Sequence, residues 1–352
     1  MARKRGQVVG VDLFCGVGGL TYGLQKAGIR MVAGIDLDPA CEYPYVSNNG
    51  SLFIEADIRK ITSNEVALLY PPGCIRLLAG CAPCRPFSPF RRGMVNSTSR
   101  EWRLLGEFAR LIAGLRPELV TMENVPGLAS RKIFRDFVEM LRANAYHVAW
   151  KSVNCARMGV PQYRRRLVLV ASLLAEVRVP AERRERNAFR TVRQAIGRLP
   201  PVSAGQVDPV DRLHFARALS ETNLRRLRAS TPGGTWKEWP ADLRSPCHRR
   251  NSGATYRSVY SRMRWDEPSP TITTQAHNFG TGRFGHPEQD RPITLREAAI
   301  LQTFPRKYRF FAPRQKVRFS VAGRLIGNAV PPALGVAIGT VLLRAVEFAG
   351  KR

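Results

Sequence analysis

Apolar residues run almost unbroken through QVVGVDLF at 7–14 and give way to the glycine-rich GVGG at 16–19. That pattern predicts a strand buried on both faces, followed by a tight turn. From 20 to 27 the apolar positions recur at helical spacing and stop at Gly28, a residue suited to end a helix. MVAGIDLD at 31–38 reads as a second strand ending in acids, and 54–58 as a short third strand before a polar helix. Further strands are expected at 76–80, 119–122 and 166–172, with helices at 100–115 and 132–144. Strands alternating with helices predict an α/β fold built on a doubly wound, mostly parallel sheet, with ligands at the carboxyl ends of its strands.

The pattern changes near residue 180. AERRERNAFR at 181–190 reads as a linker or a solvated helix, and from there to about 320 the chain is rich in Arg, Pro, Gly, Ser and Thr without a sustained period. The expected organisation is a large domain over 1–180, completed by 320–352, and a smaller, irregular binding domain over 181–319. The apolar run at 329–343 is too short to span a bilayer, and Pro331-Pro332 opens it as the start of a buried helix. Asp12 interrupts the signal-like start, and neither a basic amphipathic helix nor a lipidation signal appears, so no membrane partner is expected. Seven cysteines without regular spacing fit a reducing, intracellular compartment.

Charge changes the picture more. Among 352 residues the formal net charge is +29, carried by 47 arginines and nine lysines. Arginine-favouring codon usage would give such a bias, and so would a polyphosphate partner, because guanidinium groups bind phosphate bidentately and read guanine edges.

The turn GVGG can bring backbone amides close to a ligand, although a plain tight turn fits it as well. Thr21 stands where the dinucleotide fingerprint needs glycine. Asp36, closing the second strand, could accept both hydroxyls of a ribose, and Asp57 could accept from an adenine amino group or cap a helix. Together they suggest an adenosine-bearing ligand that need not contain pyrophosphate. In GCAPCRPFSPF, at 80–90, the prolines disfavour a redox dithiol on a helix, and zinc would need distant partners such as Cys247 and His248. The remaining reading makes Cys84 a nucleophile activated by nearby arginines, with Cys81 a small buried neighbour. Glu123 in TMENVPG falls on the same rim, as an acid or as a structural partner of an arginine. Arg164 and Arg166, two apart, would project to one side of an extended segment.

Six motifs in this order resemble those of bacterial-type DNA (cytosine-5) methyltransferases: DLFCGVGGL, APCRPFS, MENV, QYRRR, RPITLREAAILQTFP and IGNAVPP. The resemblance covers nearly the whole chain and departs from the family at Arg85 and Leu325, where glutamines are usual. It implies a Rossmann-like, S-adenosylmethionine-dependent methyltransferase fold with a second, smaller target-recognition domain. It also implies that Cys84 adds to C6 of a flipped-out cytosine while Glu123 protonates N3. Arg166 would hold O2, and Arg164 would position the Cys84 loop, braced by Asn124. Phe14, Gly16, Gly18, Gly19, Asp36, Leu37, Asp57, Ile58, Pro83, Asn328 and Val330 match the family's cofactor-contacting positions, and no metal is required.

Residues 87–100 suit a mobile loop closing over DNA, in which Ser88, Arg91 and Arg92, together with Arg85 just before it, would touch the substrate. Thr271-Ile272 resembles the family's Thr-Leu pair, flanked by Arg257, Arg262, Arg264 and Arg283 as candidate guanine or phosphate contacts. The implied partner is double-stranded DNA, with a restriction endonuclease, if one accompanies it, paired in function without contact. The expected enzyme is a monomer in the bacterial cytoplasm, at the nucleoid. The Cys-Phe-Thr motif of tRNA-methylating relatives is absent. A catalytically silent relative would not need Cys84, Glu123, Arg164 and Arg166 together, and Thr21 and the basic composition disfavour a nicotinamide oxidoreductase.

Overall fold

A buried central strand organises the sheet. Strand β1 (Val8–Leu13) is buried along its whole length and pairs in parallel with β2 (Arg30–Asp36) on one side and β4 (Ile75–Gly80) on the other. The parallel series continues to β3 (Leu52–Glu55) beyond β2 and to β5 (Leu119–Asn124) beyond β4. Two antiparallel strands, β7 (Arg165–Ser172) and β6 (His147–Asn154), complete a seven-stranded sheet in the order β3-β2-β1-β4-β5-β7-β6. The computed structural model describes residues 6–83, 100–182, 189–249 and 259–350. Cys84, Arg85, Ser88, Arg91, Arg92, Arg257, most of the expected 87–100 loop and the centre of the arginine-rich stretch lie outside them.

The strand order reverses between β1 and β4, the switch point at which such sheets place their ligands. Helix α1 (Gly19–Lys26) follows β1. It meets the carboxyl-terminal helix α10 (Pro332–Ala349) through facing glycines: a Cβ at Gly23 would stand 2.3 Å from the Pro332 carbonyl. Leu334, Ile338 and Leu342 of α10 are buried. Helix α2 (Glu42–Asn49) joins β2 to β3, and α3 (Ser63–Ala67) opens with a capping box between Thr62 and Glu65. Helices α4 (Arg100–Leu115) and α5 (Lys132–Ala143) bring Phe108, Leu111, Phe137 and Leu141 into the core formed with Val11, Leu78, Val120 and Leu169.

Two elements depart from the sequence pattern. Strand β6 is half-exposed, with Val153 its one fully buried side chain, so no apolar run marks it. Helix α2 is polar and carries Pro44 in its first turn, where a missing amide costs nothing.

The chain divides into two compact units: Met1–Met158 with Arg165–Arg183 and Val330–Arg352, and Gly159–Arg164 with Arg184–Ala329. In the second, short helices α6 (Val192–Ile196), α7 (Glu221–Arg228), α8 (Leu295–Leu301) and α9 (Phe319–Asn328) are joined by 3-10 turns and isolated bridges. Leu227, Trp236, Trp239, Leu243 and Phe279 form a small core.

A buried ion pair anchors α8. Arg291 grips Glu297 with two contacts of 2.8 Å, and Glu297 also accepts the Thr294 amide at 2.7 Å in a capping box. Burial opposes the Glu297 charge, but these partners outweigh it and hold the carboxyl at about 2. A carboxyl depressed on folding stabilises fully above its unfolded value, near 4.5, and loses that contribution as pH falls towards 2. The loss amounts to about 3 kcal/mol. In urea titrations from pH 6 down to pH 2, the wild-type midpoint should fall on this limb and the Glu297→Gln midpoint should fall less, from a lower starting value. Parallel limbs for the two proteins would refute the assignment.

Candidate active site

The sheet register brings together the groups that the sequence places 42 residues apart. In the parallel β4–β5 pair Gly80 lies opposite Met122, so Cys81 and Glu123 follow side by side at the carboxyl ends. Cys81 Sγ donates to Glu123 Oε2 at 2.9 Å. On the other side β7 runs antiparallel, with Glu123 opposite Val168, which puts Arg166 diagonally on the same face. Its Nε lies 2.8 Å from Glu123 Oε1, an ion pair without hydrogen-bond alignment. Glu123 is 3% exposed. The neighbouring Asn124 donates through Nδ2 to the Ala82 carbonyl at 3.0 Å and accepts the Val125 amide at 2.9 Å. It therefore fixes the backbone two residues before Cys84. Cys81 is only partly buried, against the expectation of a small buried neighbour, and the strand register sets it beside the carboxylate.

At the carboxyl ends of β1 and β2 the backbone forms a cradle. Phe14, Gly16 and Gly18 all have positive φ, and a Cβ on Gly16 would meet nothing within 4 Å. Asp36 accepts the Gly16 amide at 2.8 Å through Oδ2 and the Asp38 amide at 3.0 Å through Oδ1. The Leu37 amide also reaches this carboxylate, which still keeps acceptor capacity for an outside donor. Burial raises the Asp36 carboxyl despite these amides. Leu37, next in the chain, is 62% exposed and offers an apolar face to a planar ring. The first turn of α1, which holds Gly19, has no side-chain cap and no acid, leaving amides for a negatively charged group. These features fit a ligand with a ribose diol, an aromatic base and a carboxylate.

Beneath the cradle, Asp12 Oδ2 accepts the Thr21 hydroxyl at 2.7 Å while Oδ1 has no partner among the described residues. Burial pushes the Asp12 carboxyl up to about 7. Asp57 does not cap α3, whose cap is Thr62. Its carboxylate takes the Arg59 amide and guanidinium, which draw it down to about 2, so an adenine amino group would have to displace Arg59. Ile58 is buried in the core and Val330 is buried, whereas Pro83 is exposed.

A family model for C-5 cytosine-specific DNA methylases matches residues 8–344. The chain belongs to that family. It is 46% identical over 340 residues to the Type II methylase M.HgiDII of Herpetosiphon aurantiacus, covering 96% of this chain and 95% of the relative. It is 29% identical to the Type II methyltransferase M.PspPI of Psychrobacter sp. (strain TA137), covering 97% and 80%. In fold it is similar to the crystal structure of a putative DNA modification methyltransferase encoded within a prophage of E. coli. There the TM-score is 0.73 at 21% identity, over 97% of this chain and all of that one. The protein is thus a DNA cytosine-5 methyltransferase, on the α/β fold expected from the strand pattern.

Within the second unit of this methylase, Arg164 is 3% exposed and lies outside β7. Its guanidinium donates to the Ile272 carbonyl at 3.1 Å and approaches the Gly327 and Ala329 carbonyls at 3.5 and 3.4 Å. Gln162 ties the same place together, accepting the Ile272 amide at 2.8 Å and donating to Gln302 at 3.0 Å. Its part was not visible in the sequence. Thr271 donates its hydroxyl to the Tyr163 carbonyl at 2.5 Å, which locks this loop to the QYRRR segment. Asn328, the last residue of α9, is exposed.

Among the arginine candidates, Arg262 departs from the expectation of a base or phosphate contact. It is 6% exposed, and its donors reach the Leu227, His286 and Gln289 carbonyls and Asp290. Its guanidinium braces the domain from inside. Arg264 is exposed and paired with Glu267 at 2.8 Å, and Arg283 is half-buried.

Proposed function

We propose that the protein methylates C5 of a cytosine within a specific duplex sequence, using S-adenosylmethionine and a transient bond from Cys84 to C6 of the extruded base. The observation that carries this reading is the Glu123 carboxyl clamped between Cys81 and Arg166, with Asn124 fixing the backbone that leads into Cys84. When bound, S-adenosylmethionine supplies an electrophilic methyl group. Asp36, Leu37, Gly16, Gly18 and the first turn of α1 would hold it, with Phe14 nearby.

Cytosine C5 is a poor nucleophile. Addition of the Cys84 thiolate to C6 moves electron density onto C5, and a proton held by Glu123 at N3 accepts the charge that would otherwise build on the ring. Arg166 orients Glu123 through Nε; its Nη1 donates to the Arg165 carbonyl at 2.8 Å, and its Nη2 has no hydrogen bond among the described residues. That free donor suits the O2 carbonyl. After C5 is methylated, loss of the C5 proton to a base and departure of the Cys84 sulfur restore the aromatic ring. The target carbon is closed off inside a duplex, so extrusion precedes chemistry at a cost of roughly a few kcal/mol.

The second unit, rich in arginine, serves as the target-recognition domain. Relatives named as Type II methylases support a place beside a restriction endonuclease that shares the recognition sequence without touching the methylase. The enzyme works as a monomer in the cytoplasm, at the nucleoid.

Incubation with tritiated S-adenosylmethionine and either duplex DNA or tRNA tests the substrate. Label should enter DNA alone, and bisulfite sequencing of DNA from expressing cells should show protected cytosines in one sequence context. Label in tRNA alone, or protection without a shared context, overturns the reading.

A further inference from the structure

A cavity of about 490 Å3 in the second unit is lined by Phe215, Arg217, Gln275, His277, Phe319 and Ser320, among others. The rings of Phe215 and Phe319 lie 4.5 Å apart and form an apolar wall, and His277 stacks on Phe319 at 5.3 Å. None of these residues figures in the methyl-transfer chemistry.

Three features mark the cavity as a binding site. Helix α9 begins there: Phe319 and Ser320 are its first two residues, its cap position has no capping side chain, and its first turn has no acid. Its leading amides therefore present the positive end of the helix dipole to the cavity. Next, His277 is 2% exposed and its Nδ1 has no hydrogen-bond partner among the described residues. Burial and the nearby Arg217 charge hold the imidazole down to about 4, so at neutral pH the ring is uncharged and able to donate or accept. Finally, Arg217 and Ser320 are exposed and their side chains form no ion pair or hydrogen bond among the described residues. Elsewhere in the second unit Arg225 pairs with Asp242, Arg228 with Asp290 and Arg296 with Asp211.

We propose that this cavity seats a backbone phosphate of the DNA substrate against the first turn of α9. Arg217 and Ser320 bind the phosphate oxygens, and the adjoining sugar rests on the Phe215–Phe319 wall. One guanidinium and one helix end match a singly charged phosphodiester better than a doubly charged free phosphate. The contact positions the duplex and carries no sequence information. It rests on DNA being the substrate.

The test uses the full-length methylase and a fluorescent duplex containing the methylated site mapped by bisulfite sequencing, with affinity measured across a salt series. Arg217→Ala should bind about tenfold more weakly and lower the salt slope by about 1. Arg217→Lys should restore the slope. Ser320→Asp separates binding from folding, because an acid in the first turn favours the helix while repelling phosphate. It should weaken duplex binding at an unchanged or raised Tm. Wild-type slope and affinity in Arg217→Ala and Ser320→Asp overturn the proposal. Thermal stabilisation of wild type by inorganic phosphate, lost in these variants while duplex binding is unchanged, also overturns it and marks a free-anion site. Absence of salt-dependent duplex binding by wild type would bring down the substrate reading as well.

Discussion

Cys84→Ser should abolish methyl transfer, with a loss of at least about 1000-fold, and should leave S-adenosylmethionine affinity at the wild-type level. A serine hydroxyl cannot form its anion near neutral pH, whereas a thiol near arginines can, and only the anion adds to C6. The groups proposed to hold the cofactor, Asp36 and Leu37 at the end of β2 and the leading amides of helix α1, belong to other elements and should be untouched by the change. Cys81→Ser should give the opposite outcome and keep most of the activity. The Cys81 thiol faces Glu123 as a hydrogen-bond donor, and a serine hydroxyl can make the same donation. Tritium incorporation and calorimetric titration of the cofactor separate the two variants. A duplex carrying 5-fluorocytosine, which cannot lose its C5 substituent as a proton, should trap an adduct on Cys84. Substantial turnover by Cys84→Ser, or an adduct mapped to Cys81, would sink the assignment.

The elements that the sequence made plain are those with a single strong period. The all-buried β1 and the regular spacing of α4 leave one reading each, and their limits agree with the pattern closely. Edge elements such as β6 lack that signal because water on one side removes the need for apolar residues. For the site, chemistry-bearing residue types were legible, but their partners were not. Glu123 meets Cys81 and Arg166 only because β4 is parallel and β7 antiparallel to β5, and a local period cannot give those pairings. Arginines show the same limit. Arg262 and Arg264 are two apart in a segment of uniform composition, yet one is sealed among carbonyls and the other lies open. Burial depends on where the rest of the chain passes. Arg217 and Phe319, 102 residues apart, likewise gained a shared cavity only from the fold.

Glu123→Gln should lower kcat by about 100- to 10000-fold, the range expected for loss of a proton-transferring group, with little change in cofactor affinity or Tm. Glutamine matches the shape of the side chain and its carbonyl oxygen can still accept the Cys81 thiol, so the local packing survives. Its amide can donate a hydrogen bond to N3 but cannot transfer a proton there, so negative charge must build on the ring as Cys84 adds. Arg166 loses its counter-charge but lies at the solvent edge, with 15% of its side chain exposed, so the cost to folding is smaller than for a sealed pair. Arg166→Lys tests the other half of the clamp. Lysine keeps the positive charge near Glu123 but not the planar fork proposed to serve Glu123 and the base together, so kcat should fall while Tm holds. Single-turnover methylation on a saturating duplex measures these effects apart from product release. A Glu123→Gln enzyme with wild-type single-turnover rate would leave the carboxyl a structural partner of Arg166, and the proton at N3 would have to come from elsewhere.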